Sequence, residues 1–139
     1  MLEESPEHMV MEHMRTLGVE DLDDLILDVS DYSVFHDDAA TVVLAPRGIL
    51  GGIVVWNLEP GQENDYHMHP ESEHLTFVVD GELEFTLAER EPVTVRPGQL
   101  VVIPATVPHG IRNRSDRRAT YVAVTNPSAY EKVLVERPQ

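Results

Sequence analysis

The chain of 139 residues contains no cysteine. That excludes a disulfide framework, a thiolate nucleophile and any cysteine-ligated zinc or iron–sulfur centre. Lysine is almost missing as well: Lys132 is the single one, and the other nine basic residues are arginines. With 25 acidic residues against 10 basic ones the formal net charge is −15. No basic stripe is available to neutralise phosphates, so nucleic acid and anionic membrane surfaces are poor partners. An acidic, lysine-poor surface suits a high-salt cytoplasm, and a GC-rich genome produces the same preference for arginine. No apolar run is long enough to cross a membrane, and the opening MLEESPEH is acidic where a signal peptide would be basic. A cytoplasmic protein is the expectation.

What remains is ordinary globular composition, with 42% hydrophobic and 25% charged residues. Residues 1–29 read as a helical arm. Ser5-Pro6-Glu7 is a helix start, Met9, Val10, His13, Met14 and Leu17 recur at helical spacing, and Gly18 is a C-terminal cap. From residue 30 to 127 the pattern changes to short β-like runs. Thr41–Ala45, Ile53–Leu58, Leu75–Val79, Glu82–Leu87, Val93–Arg96, Leu100–Ile103 and Tyr121–Thr125 are separated by proline, glycine and aspartate. Asp80-Gly81 between two such runs marks a hairpin. Many short strands at near-regular spacing indicate an all-β sandwich or barrel. Residues 128–139 read as a tail or an extra strand over Lys132–Val135.

Of seven histidines, three fall in the stretch His67-Met68-His69-Pro70-Glu71-Ser72-Glu73-His74. In an extended segment residues i and i+2 share a face, so His67 and His69 can present both imidazoles to one ion. Neutral imidazole is the commonest protein metal ligand and suits iron, manganese, nickel, copper and zinc to differing degrees. His8 and His13 on the expected helix, and His36 beside Asp37-Asp38, lack a spaced partner and read as solvated or packed side chains.

The spacing around these residues resembles the two motifs of the cupin superfamily. Gly61, five residues, His67-Met68-His69, four residues, His74, six residues and Gly81 is similar to the first. Gly98, five residues, Pro104, then His109, three residues and Asn113 is similar to the second, and sixteen residues separate Gly81 from Gly98. The resemblance spans about residues 50–125 and implies a double-stranded β-helix, a jelly-roll barrel whose mouth holds one divalent transition metal. His67, His69 and His109 fall on ligand positions of that family. Its third ligand is usually a glutamate; here His74 stands in that register and Glu73 is one residue out. Because faces alternate along a strand, only one of the two can reach the ion, and the period-two count favours His74. Glu73 is then a surface acid or a partner for an imidazole N–H. A second departure is Thr106, where the family has a turn glycine.

Four neutral imidazoles would leave the charge of the ion uncompensated, so the expected ligand is small and anionic or chelating: a carboxylate, a diketone or a sugar-derived substrate. The implied function is a metal-dependent enzyme, a dioxygenase or an isomerase or lyase. The alternative is a non-catalytic binding or sensing module; a barrel stabilised by its metal is a third reading. Trp56, Tyr66, Thr76, Arg112 and Asn113 lie near the expected mouth or on the motif strands and read as core rather than ligand contacts. If His74 points inward, Thr76 and Val78 do too, and Leu75, Phe77 and Val79 face outward. An apolar outer face of that kind calls for a cover, and a homodimer to which the N-terminal segment contributes is the expected one.

Overall fold

The computed structural model describes residues 26–44, 52–126 and 132–138. The expected helix over residues 5–18 lies outside them. The first described element is a 3-10 turn, Val29–Tyr32, followed by ten strands. These are β1 (Thr41–Leu44), β2 (Gly52–Leu58), β3 (Glu63–Met68), β4 (Glu73–Asp80), β5 (Leu83–Leu87), β6 (Val93–Val95), β7 (Leu100–Ile103), β8 (His109–Arg112), β9 (Ala119–Asn126) and β10 (Val133–Leu134). They form two antiparallel five-stranded sheets, one ordered β1-β2-β9-β4-β7 and the other β10-β3-β8-β5-β6. This is the double-stranded β-helix expected from the motifs.

The strand runs read from hydrophobic alternation coincide with seven of these elements to within two residues at either end. Strands β3 and β8 were not among those runs. Their sequences, ENDYHM and HGIR, carry polar side chains where a strand of this size ordinarily carries apolar ones.

The inner faces of the two sheets meet in one apolar core that includes Val54, Trp56, Leu58, Leu83, Phe85, Ile103, Ile111 and Tyr121. Fully burying a side chain of this size is worth about 1.5–3 kcal/mol, so the core is the main source of stability. A second, smaller cluster sits on the outer face of the first sheet, where Tyr32 and Val29 of the 3-10 turn cover Val43, Val55, Ile53 and Val122. The turn thereby covers only the β1-β2-β9 side of that face.

The hairpin between β4 and β5 turns at Gly81, with φ +73°. A Cβ there would collide with the Arg118 carbonyl oxygen, so both the angle and the space demand glycine. Asn113 supplies a fully buried tie between loops. Its amide donates to the carbonyls of Leu58 and Arg117 at 2.9 and 2.7 Å, and its oxygen accepts from the backbone N–H and the hydroxyl of Ser115. Among the described residues no helix is long and apolar enough to cross a membrane.

Candidate metal centre

Four histidines meet where the two sheets face each other. His67 lies on β3 and His69 just beyond its end; His109, on β8, pairs with His67 across the second sheet. His74 comes from β4, in the opposite sheet. A β-bulge aims the first of them. Between the pairs Asn64–Ile111 and His67–His109, β3 advances three residues while β8 advances two. The extra residue shifts the phase of the alternation, so that both Asn64 and His67 face the barrel interior.

His67, His69 and His109 offer ring nitrogens that all lie within 4.8 Å of one another. Nε2 of His67 and Nε2 of His69 are 3.0 Å apart. The His74 ring stacks on His69 with centroids 3.9 Å apart and stands 5.8 Å from that of His109. All four rings are buried, and Nε2 of His74 has no hydrogen-bond partner among the described residues. Glu73 is exposed to solvent, on the other side of β4.

Two of the rings are oriented by the backbone behind them. Nδ1 of His67 bonds the carbonyl of Asp65, and Nδ1 of His109 bonds that of Val107 at 3.0 Å. With the proton held on Nδ1, each ring turns Nε2 toward the centre as a lone pair. Burial, reinforced by the neighbouring imidazoles, holds His67 well below the ordinary histidine range and lowers His74 to about 3. Burial also lowers His109 to about 4. Three rings are thus kept neutral at any physiological pH, the state in which imidazole ligates a cation. A buried, orphaned nitrogen and a converging set of neutral imidazoles fit a divalent transition metal.

The rings border a cavity of about 10 Å³, also lined by Trp56, Asn64, Thr76, Ile103, Ile111, Tyr121 and Ala123. That is space for one ion or one water-sized atom. The Thr76 hydroxyl, on the strand face of His74, is buried without a hydrogen-bond partner among the described residues. Trp56 and Thr76 therefore belong to the cavity as well as to the core, whereas Tyr66, Arg112 and Asn113 do not line it. The turn before His109 is held by Thr106, whose N–H donates to the His69 carbonyl at 2.8 Å. Thr106 has φ +70°, the left-handed conformation that glycine adopts freely.

Sequence reasoning passed over two lining residues, Asn64 and Tyr121, and Lys132 behind them. Asn64 donates to the Tyr121 hydroxyl at 2.8 Å, and Lys132 Nζ donates to Asn64 Oδ1 at 2.8 Å. Burial lowers the Lys132 ammonium to about 7. A lone lysine in an arginine-rich chain was the available signal; the bulge hid Asn64.

A family model described as "Cupin domain" matches residues 54–125, more than half of the chain. The chain is a cupin. Among curated relatives, it is 36% identical over 85 residues to "Polyketide synthase CurC" of Streptomyces cyaneus, covering 61% of this cupin and 53% of that protein. It is 36% identical over 89 residues to "Protein SchB" of Streptomyces halstedii, covering 64% and 62%. The cupin thus spans little more than half the length of these relatives. Among solved structures, a Klebsiella pneumoniae protein with a double-stranded β-helix domain superposes with a TM-score of 0.75 at 23% identity. That match covers 81% of this cupin and 98% of the other chain, and it establishes likeness of fold.

Proposed function

We propose that this cupin is a metal-dependent enzyme acting on a small oxygenated substrate, with His67, His69, His74 and His109 as the metal ligands. The observation that carries the reading is the convergence of four buried imidazoles from both sheets on one small cavity. A divalent transition metal in that position would supply Lewis acidity and a template for chelating oxygens, and with iron or copper a redox centre. The protein's own part is positional. The Asp65 and Val107 carbonyls fix two rings, burial keeps three rings neutral, and Ile103, Ile111 and Ala123 give the cavity an apolar wall.

An all-imidazole ligand set neutralises none of the ion's charge, which favours an anionic bidentate guest. Carboxylates, diketones and sugar-derived acids qualify, and dioxygenase or isomerase and lyase chemistry are both open to such a centre. The relatedness to a protein named as a polyketide synthase supports the diketone class, because enolised 1,3-dicarbonyls chelate through two oxygens.

The deciding experiment starts with metal analysis of protein purified without added metal. Anaerobic loading with each candidate ion follows, then oxygen uptake and product analysis on 1,3-diketones, catechols and hydroxy-acids. Turnover of any of these, abolished by chelator, supports the enzyme. A metal-replete protein that binds such compounds and converts none would instead be a non-catalytic binding or sensing cupin.

A further inference from the structure

A polar chain that the four histidines do not use ends at the same cavity. It starts at Lys132, beside β10, whose Nζ passes 5.4 Å from the centroid of the Trp56 ring and donates to Oδ1 of Asn64. The Lys132 nitrogen donates here, which fixes the oxygen end of the amide toward it. The amide nitrogen is thereby turned to Tyr121, where it donates to the hydroxyl oxygen at 2.8 Å. With that oxygen occupied as an acceptor, the Tyr121 proton has to be given elsewhere. No described residue takes it, and Tyr121 lines the histidine cavity.

The ring cannot swing away from this task. It is buried, lies parallel to Trp56 with centroids 6.1 Å apart, and meets Phe85 edge-on at 6.0 Å. Burial raises its pKa further above the ordinary tyrosine value, so it remains a donor. Donors in a chain polarise one another, so the phenol backed by Asn64 and Lys132 is a stronger donor than an isolated one.

We propose that the Tyr121 hydroxyl recognises an anionic oxygen, carboxylate or enolate, of the ligand held at the histidine centre, and that Asn64 and Lys132 are positioning residues that aim it. The proposal rests on the reading of the histidines as metal ligands.

The test uses the full chain loaded with cobalt(II) and titrated with oxalate, the smallest chelating dicarboxylate. Binding is followed by the cobalt d–d absorption, and metal content is measured separately. Tyr121→Phe is expected to retain its cobalt and to bind oxalate about tenfold or more weakly, as for loss of a hydrogen bond to a charged group. Lys132→Met should weaken oxalate by a smaller factor and add nothing on top of Tyr121→Phe. A purely structural role for Lys132 would instead give additive effects. Wild-type affinity in a fully loaded Tyr121→Phe protein overturns the proposal. So does a cobalt-loaded wild type that ignores oxalate. Should Tyr121→Phe fail to fold, Lys132→Met decides: unchanged oxalate affinity overturns the proposal. A wild type that takes up no cobalt refutes the four-histidine reading itself, and the proposal with it.

Discussion

His74 and Glu73 are neighbours on β4 and face opposite ways: the imidazole is stacked 3.9 Å from that of His69, while the carboxylate lies in solvent. This relationship separates two otherwise plausible ligand sets. Single alanine substitutions of His67, His69, His74 or His109 should each empty the centre of most of its metal. Glu73→Ala should leave metal content at the wild-type level. Elemental analysis of the purified variants checks this, and an empty Glu73→Ala protein beside a full His74→Ala protein would reverse the assignment.

The buried imidazoles make the metal-free protein acid-sensitive. Unfolded histidine titrates near 6.5, whereas His74 and His109 in the fold do so at about 3 and about 4. Between those values the unfolded chain binds more protons than the folded one, so stability falls as the pH is lowered. In the presence of chelator, urea midpoints should therefore drop from pH 6.5 toward pH 4. The slope contributed is about 1.4 kcal/mol per pH unit for each such histidine. A midpoint that is flat across this range would show that the rings are solvated.

Two turns respond to substitution in opposite directions. Gly81→Ala drives a Cβ into the Arg118 carbonyl oxygen at a left-handed φ, and a loss of about 1–3 kcal/mol is expected. Thr106 already sits at φ +70°, a conformation that costs a β-branched residue about 1–2 kcal/mol. Thr106→Gly should consequently stabilise the protein by about 1 kcal/mol, less the entropy that glycine adds to the unfolded chain. Thermal unfolding of both variants is the measurement, and a Thr106→Gly protein that melts lower contradicts the strain.

The outer face of the first sheet leaves Phe77 39%, Val79 40%, Leu100 53% and Val102 52% exposed. Leu100 and Phe77 pair directly across β7 and β4, as do Val102 and Leu75, so the apolar side chains form one contiguous patch. A soluble monomer seldom keeps such a patch in water. A homodimer is the expected cover, read as doubled mass by light scattering, and Phe77→Asp with Leu100→Asp should return it to monomer. Monomeric wild-type protein would require another cover for this face.

The strands legible in the sequence were the apolar runs bounded by turn residues, whether buried on both faces like β2 or on one like β4. In β5, Leu83 and Phe85 are buried while Glu84 is half-buried, and alternation alone finds such a strand. Strands β3 and β8 were missed because Asn64, His67 and His109 are buried but polar, and Tyr66 and Ile111 alone do not make an apolar run. The histidine cluster was legible for the opposite reason. Motif spacing depends on residue type rather than hydrophobicity, and it singled out His67, His69, His74 and His109, which the fold brings to one cavity. Asn64 was lost to the bulge, which places it and His67 on one face although they are an odd number of residues apart. The contacts that join Lys132, Asn64 and Tyr121 left no sequence pattern because they link positions far apart along the chain.

The order of strands in the first sheet also dictates when the centre can exist. Strand β4, which carries His74, is clamped between β7 and β9, and β2 reaches its neighbour β9 only by pairing Gly52 with Thr125 through Leu58 with Ala119. Pairings so distant along the chain form late and slowly, typically over milliseconds to seconds. During synthesis, His67 and His69 emerge well before the strand that locks His74 opposite them. A cation met early would encounter a loose pair of imidazoles on an unfolded stretch of chain, and the four histidines come together only after β9 has docked. If the proposed centre binds metal, selection among competing ions would therefore fall to the finished barrel.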